Sequence, residues 1–446
     1  MSDTPSVTEG DAGSGSAVIG PDQNSCLKVL IIALNQMWGE TWHAKGWYTS
    51  TKELQLASLA FCKACRTHQT LHLNVEAKTP RRLLVAADAL PRHPKRPCGT
   101  RLPRLRARSV TWNMPTAGEL RNPIFAMTGA DRLVLGYAFE GSLEAVAWPR
   151  QLKTIEIHCS PFNEPIDAVE WPASLQRLVF GAWFDQPLER MRFPASLETI
   201  LLSEGFNQPI DRVEFPASLR QLIFSGGSSF NQPIAGVILP TSLQELDLGA
   251  EFNQPIEDIV WPPSLRKLNL GYGFDQPIQR VVFPSRLQDL TVEGSFNQPI
   301  EGVLWPDSLQ RLALGYTFNR SIDNVRWPAS MQEITFASCE DYWDNTVTVY
   351  ADFNQSIGSS VWPASLRRLT LGEHFRQSLQ GLGTWMPNLE ALRLLDHKDG
   401  YGTEESLLRG IEWPKALRHL TVINGSNLDG VTIPSVVQVD FLEHVW

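Results

Sequence analysis

Long hydrophobic runs are missing from this chain of 446 residues. The longest, Val29 to Leu34, is far short of the roughly 20 apolar residues that a bilayer-crossing helix needs. Lysine and arginine are absent from the first 25 residues, where the positive region of a secretory signal would lie. Cysteine is scarce: Cys26, Cys62, Cys65, Cys98, Cys159 and Cys339 are scattered without disulfide-framework spacing, which suits a reducing compartment. No phosphate-binding loop, nucleophile elbow, zinc-protease helix or dinucleotide fingerprint is present. These absences lead us to expect an intracellular protein, cytoplasmic or nuclear, without membrane association, catalytic residues, cofactor or metal. The one stripe of metal-type ligands is Cys62, Cys65, His68 and His72. Its members lie closer together than the ligand pairs of a structural zinc site, and on a helix they make one packed face.

What is present is a folded composition, with 43% hydrophobic and 20% charged residues. The net charge of −9 is unevenly distributed. Residues 51–110 hold 13 Lys/Arg against three Asp/Glu, so a basic segment precedes an acidic remainder. Residues 1–25, rich in Ser, Gly, Thr and Asp, are expected to be a disordered tail. Over 26–78 the spacing of Val29, Leu30, Leu34 and Met37, and of Leu54, Leu56, Leu59 and Phe61, predicts a small helical region able to cap an array of repeats. Residues 79–119 read as a basic, proline-broken linker and first cap turn. The linker's arginines, Arg101, Arg104 and Arg106 among them, carry no interleaved aromatics for base stacking, which disfavours nucleic acid as the partner.

From residue 120 to 446 the chain repeats itself. Phe162, Phe184, Phe206, Phe230, Phe252, Phe274, Phe296, Phe318, Phe353 and Phe375 recur mostly at steps of 22 residues, and such a period means a solenoid. Each unit carries L-x-x-L-x-L, as in Leu265, Leu268 and Leu270, whose last two members share one face of a short strand. Strands of successive units are expected to pair in parallel. Pro255 and Pro262 bracket the return path, which is too short for a helix with two turns, so the outer layer is expected to be irregular or 3₁₀. The marker phenylalanines, and the aromatic residue before the second proline (Trp171, Phe193, Phe215, Trp261, Phe283, Trp305, Trp327, Trp362), should stack as two buried columns. The Asn after the marker, replaced by Asp185 and Asp275, should bond backbone groups where the strand turns away.

The pattern F-N-Q-P-I followed by V-x-W-P-x-S-L-x-x-L-x-L-G resembles the FNIP repeat, a variant of the leucine-rich repeat. That resemblance implies a leucine-rich-repeat-like solenoid without catalytic activity. Leu54 to Leu73 is faintly similar to the second half of an F-box, which would imply a substrate receptor of a ubiquitin ligase.

Binding is the remaining activity, and two places suggest themselves. The strand positions between the leucines should face outward, and they offer Arg220, Glu245, Arg266, Lys267, Arg311, Arg367 and Arg368. Mixed charge of this kind suits a protein or peptide partner. One step lengthens to 35 residues because an insertion at 337–352 carries Tyr342, Trp343 and Tyr350, and solenoid insertions are frequently binding loops. The expectation is a monomeric protein-protein interaction scaffold using both places. A ubiquitin-ligase receptor is the alternative, and an acidic partner or nucleic acid on the basic segment is a third reading.

Overall fold

A computed structural model describes residues 71–76, 107–113 and 130–442, apart from 138, 140, 159–160, 226, 293, 342–346, 396–406, 424–427 and 429. The chain divides into two compact units, 1–72 with 78–108, and 73–77 with 109–446, and nearly all the described residues belong to the second. The tail, most of the helical region and most of the basic linker lie outside the described residues. Where they are described, the structure differs from the sequence reading. Leu71–Glu76 is a strand, in keeping with the period-two alternation of Leu71, Leu73 and Val75. Ala107–Asn113, placed in the linker, is also a strand, with Val110 buried and opposite Leu133 of the next one.

Sixteen strands form one sheet in chain order, and each of the strand pairs with a described register is parallel to its neighbours in sequence. The register places like positions side by side, as with Leu268, Leu290 and Leu312. Strands are three to seven residues long, and their burial alternates, as in Gln221–Phe224, where Leu222 and Phe224 are buried and Gln221 and Ile223 half-buried. The only helix among the described residues is Leu382–Trp385.

The outer layer consists of tight turns, for which the two prolines and short apolar steps are responsible. In the unit starting at Phe206, the amide of Val213 bonds the carbonyl of Ile210, and the amide of Leu219 bonds that of Pro216. The serine before that leucine ties one turn to the one before it, since Ser218 Oγ donates to the carbonyl of Leu197 at 2.6 Å. Turn after turn repeats these bonds, so backbone groups that a helix would satisfy internally are satisfied locally and between neighbours.

Both aromatic columns form. The marker phenylalanines are fully buried and stack with centroids 6.2 Å apart at Phe230–Phe252, Phe252–Phe274 and Phe274–Phe296. The second column is shallower and broken. Its tryptophans are buried, Phe193 and Phe215 are half-buried, and Leu239 stands where an aromatic ring would continue it.

The Asn positions form a ladder along the array. The side-chain Oδ1 of each accepts the backbone N–H of its counterpart one turn later: Asn207 from Asn231 at 2.9 Å, Asn231 from Asn253 at 2.9 Å, and Asn253 from Asp275 at 3.0 Å. Only the acceptor is used in this contact, so Asp275 serves equally, accepting from Asn297 at 2.9 Å. The following glutamine adds a second rung, with Gln276 Nε2 donating to Asn253 Oδ1 at 2.9 Å. No helix of the described residues is long and apolar enough to cross a membrane.

Candidate interaction surface

The strand face carries a ladder of its own. Along one column of the sheet, Thr199 donates to Gln221, and Gln221 donates to Glu245 at 2.7 Å. Glu245 then lies 3.8 Å from Lys267, Arg311 donates to Asp289 at 2.6 Å, and Arg368 donates to Glu333 at 2.9 Å. The parallel register requires this, because every residue of the column meets its counterpart on the neighbouring strand. The hydrogen bond from Arg311 to Asp289 raises the pKa of the guanidinium. A similar cluster sits on the third and fourth strands, Arg132–Leu135 and Thr154–Ile157. Burial pushes the Glu156 carboxyl up, but hydrogen bonds from Arg132 and His158 outweigh it and hold the group below its usual range.

The predicted charged residues of the strands are therefore together on one face but mostly engaged with neighbouring side chains. Glu245, Lys267, Arg311 and Arg368 belong to the ladder just described. Arg367 lies 3.2 Å from Glu390 and donates to the carbonyl of Ala364. Arg220 and Arg266 are exposed on the adjoining column. Exposed ion pairs of this kind contribute only about 0–1 kcal/mol each, so an arriving partner can exchange them at low cost.

Among these charges Asp247 is perturbed chiefly by burial. Burial is the largest influence on Asp247 and raises its pKa, against the bonds its carboxylate accepts from the backbone of Gly249 and the amide of Asn269.

The insertion is a hairpin. Ser338–Asp341 pairs antiparallel with Val347–Tyr350, separate from the main sheet. Tyr350 ends the second strand, and Tyr342 and Trp343 lie outside the described residues. The hairpin leaves and rejoins the solenoid at the rim formed by the C-terminal ends of the strands. A further backbone ladder runs there, in which Ser295 N–H bonds Tyr272 O at 2.8 Å and Thr317 N–H bonds Gly294 O at 3.1 Å. Asp352 takes the next rung on Tyr316 O, so the extra residues loop out of the ladder without changing its register. Strand Arg368–Leu371 accordingly pairs directly with Glu333–Phe336 across the insertion.

The same rim presents aromatic side chains that the repeat pattern alone did not single out. Tyr137 is 72% exposed and Trp183 69% exposed. Tyr272 and Tyr316 meet over Gly294, with ring centroids 5.5 Å apart. A Cβ at Gly294 would lie 2.7 Å from the Tyr272 ring, so glycine is what lets the two rings approach. The signal was available: these residues sit between the strand's last leucine and the marker phenylalanine, where most turns carry Gly, Ala, Ser or Glu. The Cys62, Cys65 and His68 stripe, the F-box-like stretch before residue 71, and Arg101, Arg104 and Arg106 lie outside the described residues. Among the described residues no cluster of His, Cys, Asp and Glu could hold a metal ion.

Comparison with known proteins points the same way. The FNIP Repeat family matches residues 162–205, 206–251, 252–295 and 296–339. No curated protein matches the chain. Among solved structures, the chain is similar to CroV588, described as a novel circular leucine-rich-repeat protein, with 28% identity and a TM-score of 0.51 over 75% of this chain and 53% of that one. The chain thus spans about half the length of that protein. It is also similar to an internalin from Listeria monocytogenes, at 11% identity and a TM-score of 0.45 over 69% of this chain and 84% of that one. The repeated F-N-Q-P-I step, the Asn ladder it builds and the parallel sheet of leucine strands agree with the family match, and residues 162–339 are four FNIP repeats within a leucine-rich-repeat-like solenoid.

Proposed function

We propose that this protein is a non-enzymatic interaction scaffold that captures a protein or peptide partner on the strand-end rim and the hairpin at 337–352, with the strand face flanking the contact. The observation that carries the proposal is the exposure of Tyr137 and Trp183, 72% and 69%, on the rim that the hairpin joins. Large rigid aromatic side chains left in water at such a place are the residues on which interfaces concentrate their energy. The hairpin's Tyr342, Trp343 and Tyr350 would extend the same surface. Arg220, Arg266, Lys267 and their neighbours would supply exchangeable polar contacts around it. Repeat solenoids are commonly used for protein interaction, which fits this reading.

The test is affinity capture from the native host, identification of the partner, and measurement of its binding to variants. Trp183→Ser is expected to weaken binding by about tenfold or more, the loss associated with an aromatic anchor. Arg266→Glu should change binding less. Undiminished binding by Trp183→Ser, Tyr137→Ser and a hairpin deletion alike would remove the rim from consideration.

A further inference from the structure

The back of the solenoid carries an aliphatic ridge. The residue just before the shallower aromatic column is Ile238, Val260, Val282 and Leu304 in four successive turns, and these side chains are 83%, 85%, 78% and 79% exposed. Their neighbours one residue earlier, Val237, Ile259, Val281 and Val303, are buried, and the ring column lies one residue later. The ridge is therefore not a displaced core position. It is a separate row of four aliphatic side chains aimed at water. Rings beneath it repeat every 5.9 Å at Phe283–Trp305, so its three steps span about 18 Å. In the turns on either side the same position holds Glu214 before Ile238 and Arg326 after Leu304, both exposed and neither ion-paired among the described residues.

Along the array, the row is Glu214, Ile238, Val260, Val282, Leu304, Arg326, and it is complementary to itself when reversed. Rotation about a two-fold axis between Val260 and Val282 sets the aliphatic residues against one another and brings each Glu214 opposite an Arg326. The four central positions of the row two residues earlier behave in the same way. That row reads Arg212, Gly236, Asp258, Arg280, Gly302 and Asn324, and the same axis sets Asp258 opposite Arg280 and Gly236 opposite Gly302. Asp258 and Arg280 are exposed and have no ion-pair partner among the described residues. Gly236 and Gly302 have left-handed backbones, with φ of +85° and +80°, and nothing lies within 4 Å of where a Cβ would be. They leave a flat shelf beside the ridge, so nothing on this row holds the two ridges apart.

From this palindrome of charge and shape we propose that the back face binds a second copy of this chain in an antiparallel, two-fold dimer centred between Val260 and Val282. An isologous contact needs one self-complementary patch, and these two rows supply it. A strip two rows wide and six turns long is a small contact, so the dimer is expected to be a weak one, dissociating at roughly micromolar concentrations or above. The strand-end rim is a different face of the repeat and remains open in the dimer.

The full chain is the material for the test, with sedimentation and light scattering over a concentration series. The expected result is a mass rising from 50.0 kDa to twice that value. Val260→Lys with Val282→Lys, both at exposed positions, should keep the circular dichroism spectrum and leave a monomer at every concentration. Glu214→Arg or Arg326→Glu alone should weaken the dimer about tenfold, because each sets like charges together at both ends. Combining the two exchanges the charges and should restore dissociation to within about threefold of the parent. Failure of that restoration would overturn the two-fold register. A mass of 50.0 kDa throughout would overturn the dimer. Binding of the monomer to phosphatidylcholine vesicles, abolished by Val260→Lys with Val282→Lys, would instead assign the ridge to a lipid surface and likewise overturn the proposal.

Discussion

At the scale of single residues, the Asn ladder explains which substitutions the repeat accepts. Asn253 accepts from the backbone of Asp275 and from the Gln276 amide. Asn253→Ala leaves the Asp275 N–H without its acceptor, while the Gln276 amide keeps its bond to the Asn253 carbonyl, and is expected to cost about 1–3 kcal/mol in urea unfolding. Asn253→Asp keeps the acceptor and should fall within about 0.5 kcal/mol of the parent, as native Asp275 in the same role suggests. Asp247 offers a pH-dependent test. Its pKa is raised in the folded chain, chiefly by burial, so the fold favours the protonated form. That contribution is present below the unfolded pKa and is lost as pH rises through the folded one. Asp247→Asn should therefore raise the unfolding midpoint near about pH 7, and the gain should vanish near about pH 3, where the parent is itself protonated. An asparagine keeps the bond to Gly249, as Asn269 one strand on does to Gly271, and gives up the one accepted from Asn269.

At the scale of elements, the hairpin is the informative one. The expected insertion at 337–352 is present, but as two paired strands standing outside the main sheet. Because Ala351 is buried and Asp352 holds the rung on Tyr316, the turn closes without the hairpin. Deleting Cys339 to Tyr350 should consequently leave the urea midpoint within about 1 kcal/mol equivalent of the parent. A collapse of stability would mean that the hairpin braces the array. The outer layer makes a related point: the prolines and the short return predicted the lack of helix, and the local turns at Ile210–Val213 and Pro216–Leu219 account for it.

At the scale of the whole solenoid, each turn is buried only by its neighbours, so protection should vary along the array. In interior turns the core leucines and phenylalanines are fully buried. In the last described turn the equivalent residues Val436 and Phe441 are 65% and 53% exposed. Hydrogen exchange should be fastest in strand Gln438–Leu442 and slowest in the strands between Thr199 and Phe336. Uniform protection would indicate one cooperative unit and contradict nearest-neighbour stabilisation.

The 22-residue period was sufficient by itself to establish the parallel sheet, the two aromatic columns and a backbone-bonding role for the Asn position, of which the structure uses the acceptor. Those features depend on local spacing, and a strict repeat copies local spacing into the third dimension. The strands Leu71–Glu76 and Ala107–Asn113 were less legible because they precede the recognisable copies and share only the alternation of their apolar residues. Tertiary structure decided what the period leaves free. It paired Glu245 with Lys267 and Arg311 with Asp289, turning the predicted binding charges into a largely self-neutralising ladder. It brought Tyr272 and Tyr316 together near the hairpin and left Tyr137 and Trp183 exposed farther along the same rim. It also aligned Ile238, Val260, Val282 and Leu304 into one ridge. Residues 22 apart become neighbours only when the turns stack, so surfaces made of one residue per turn exist only in the folded array.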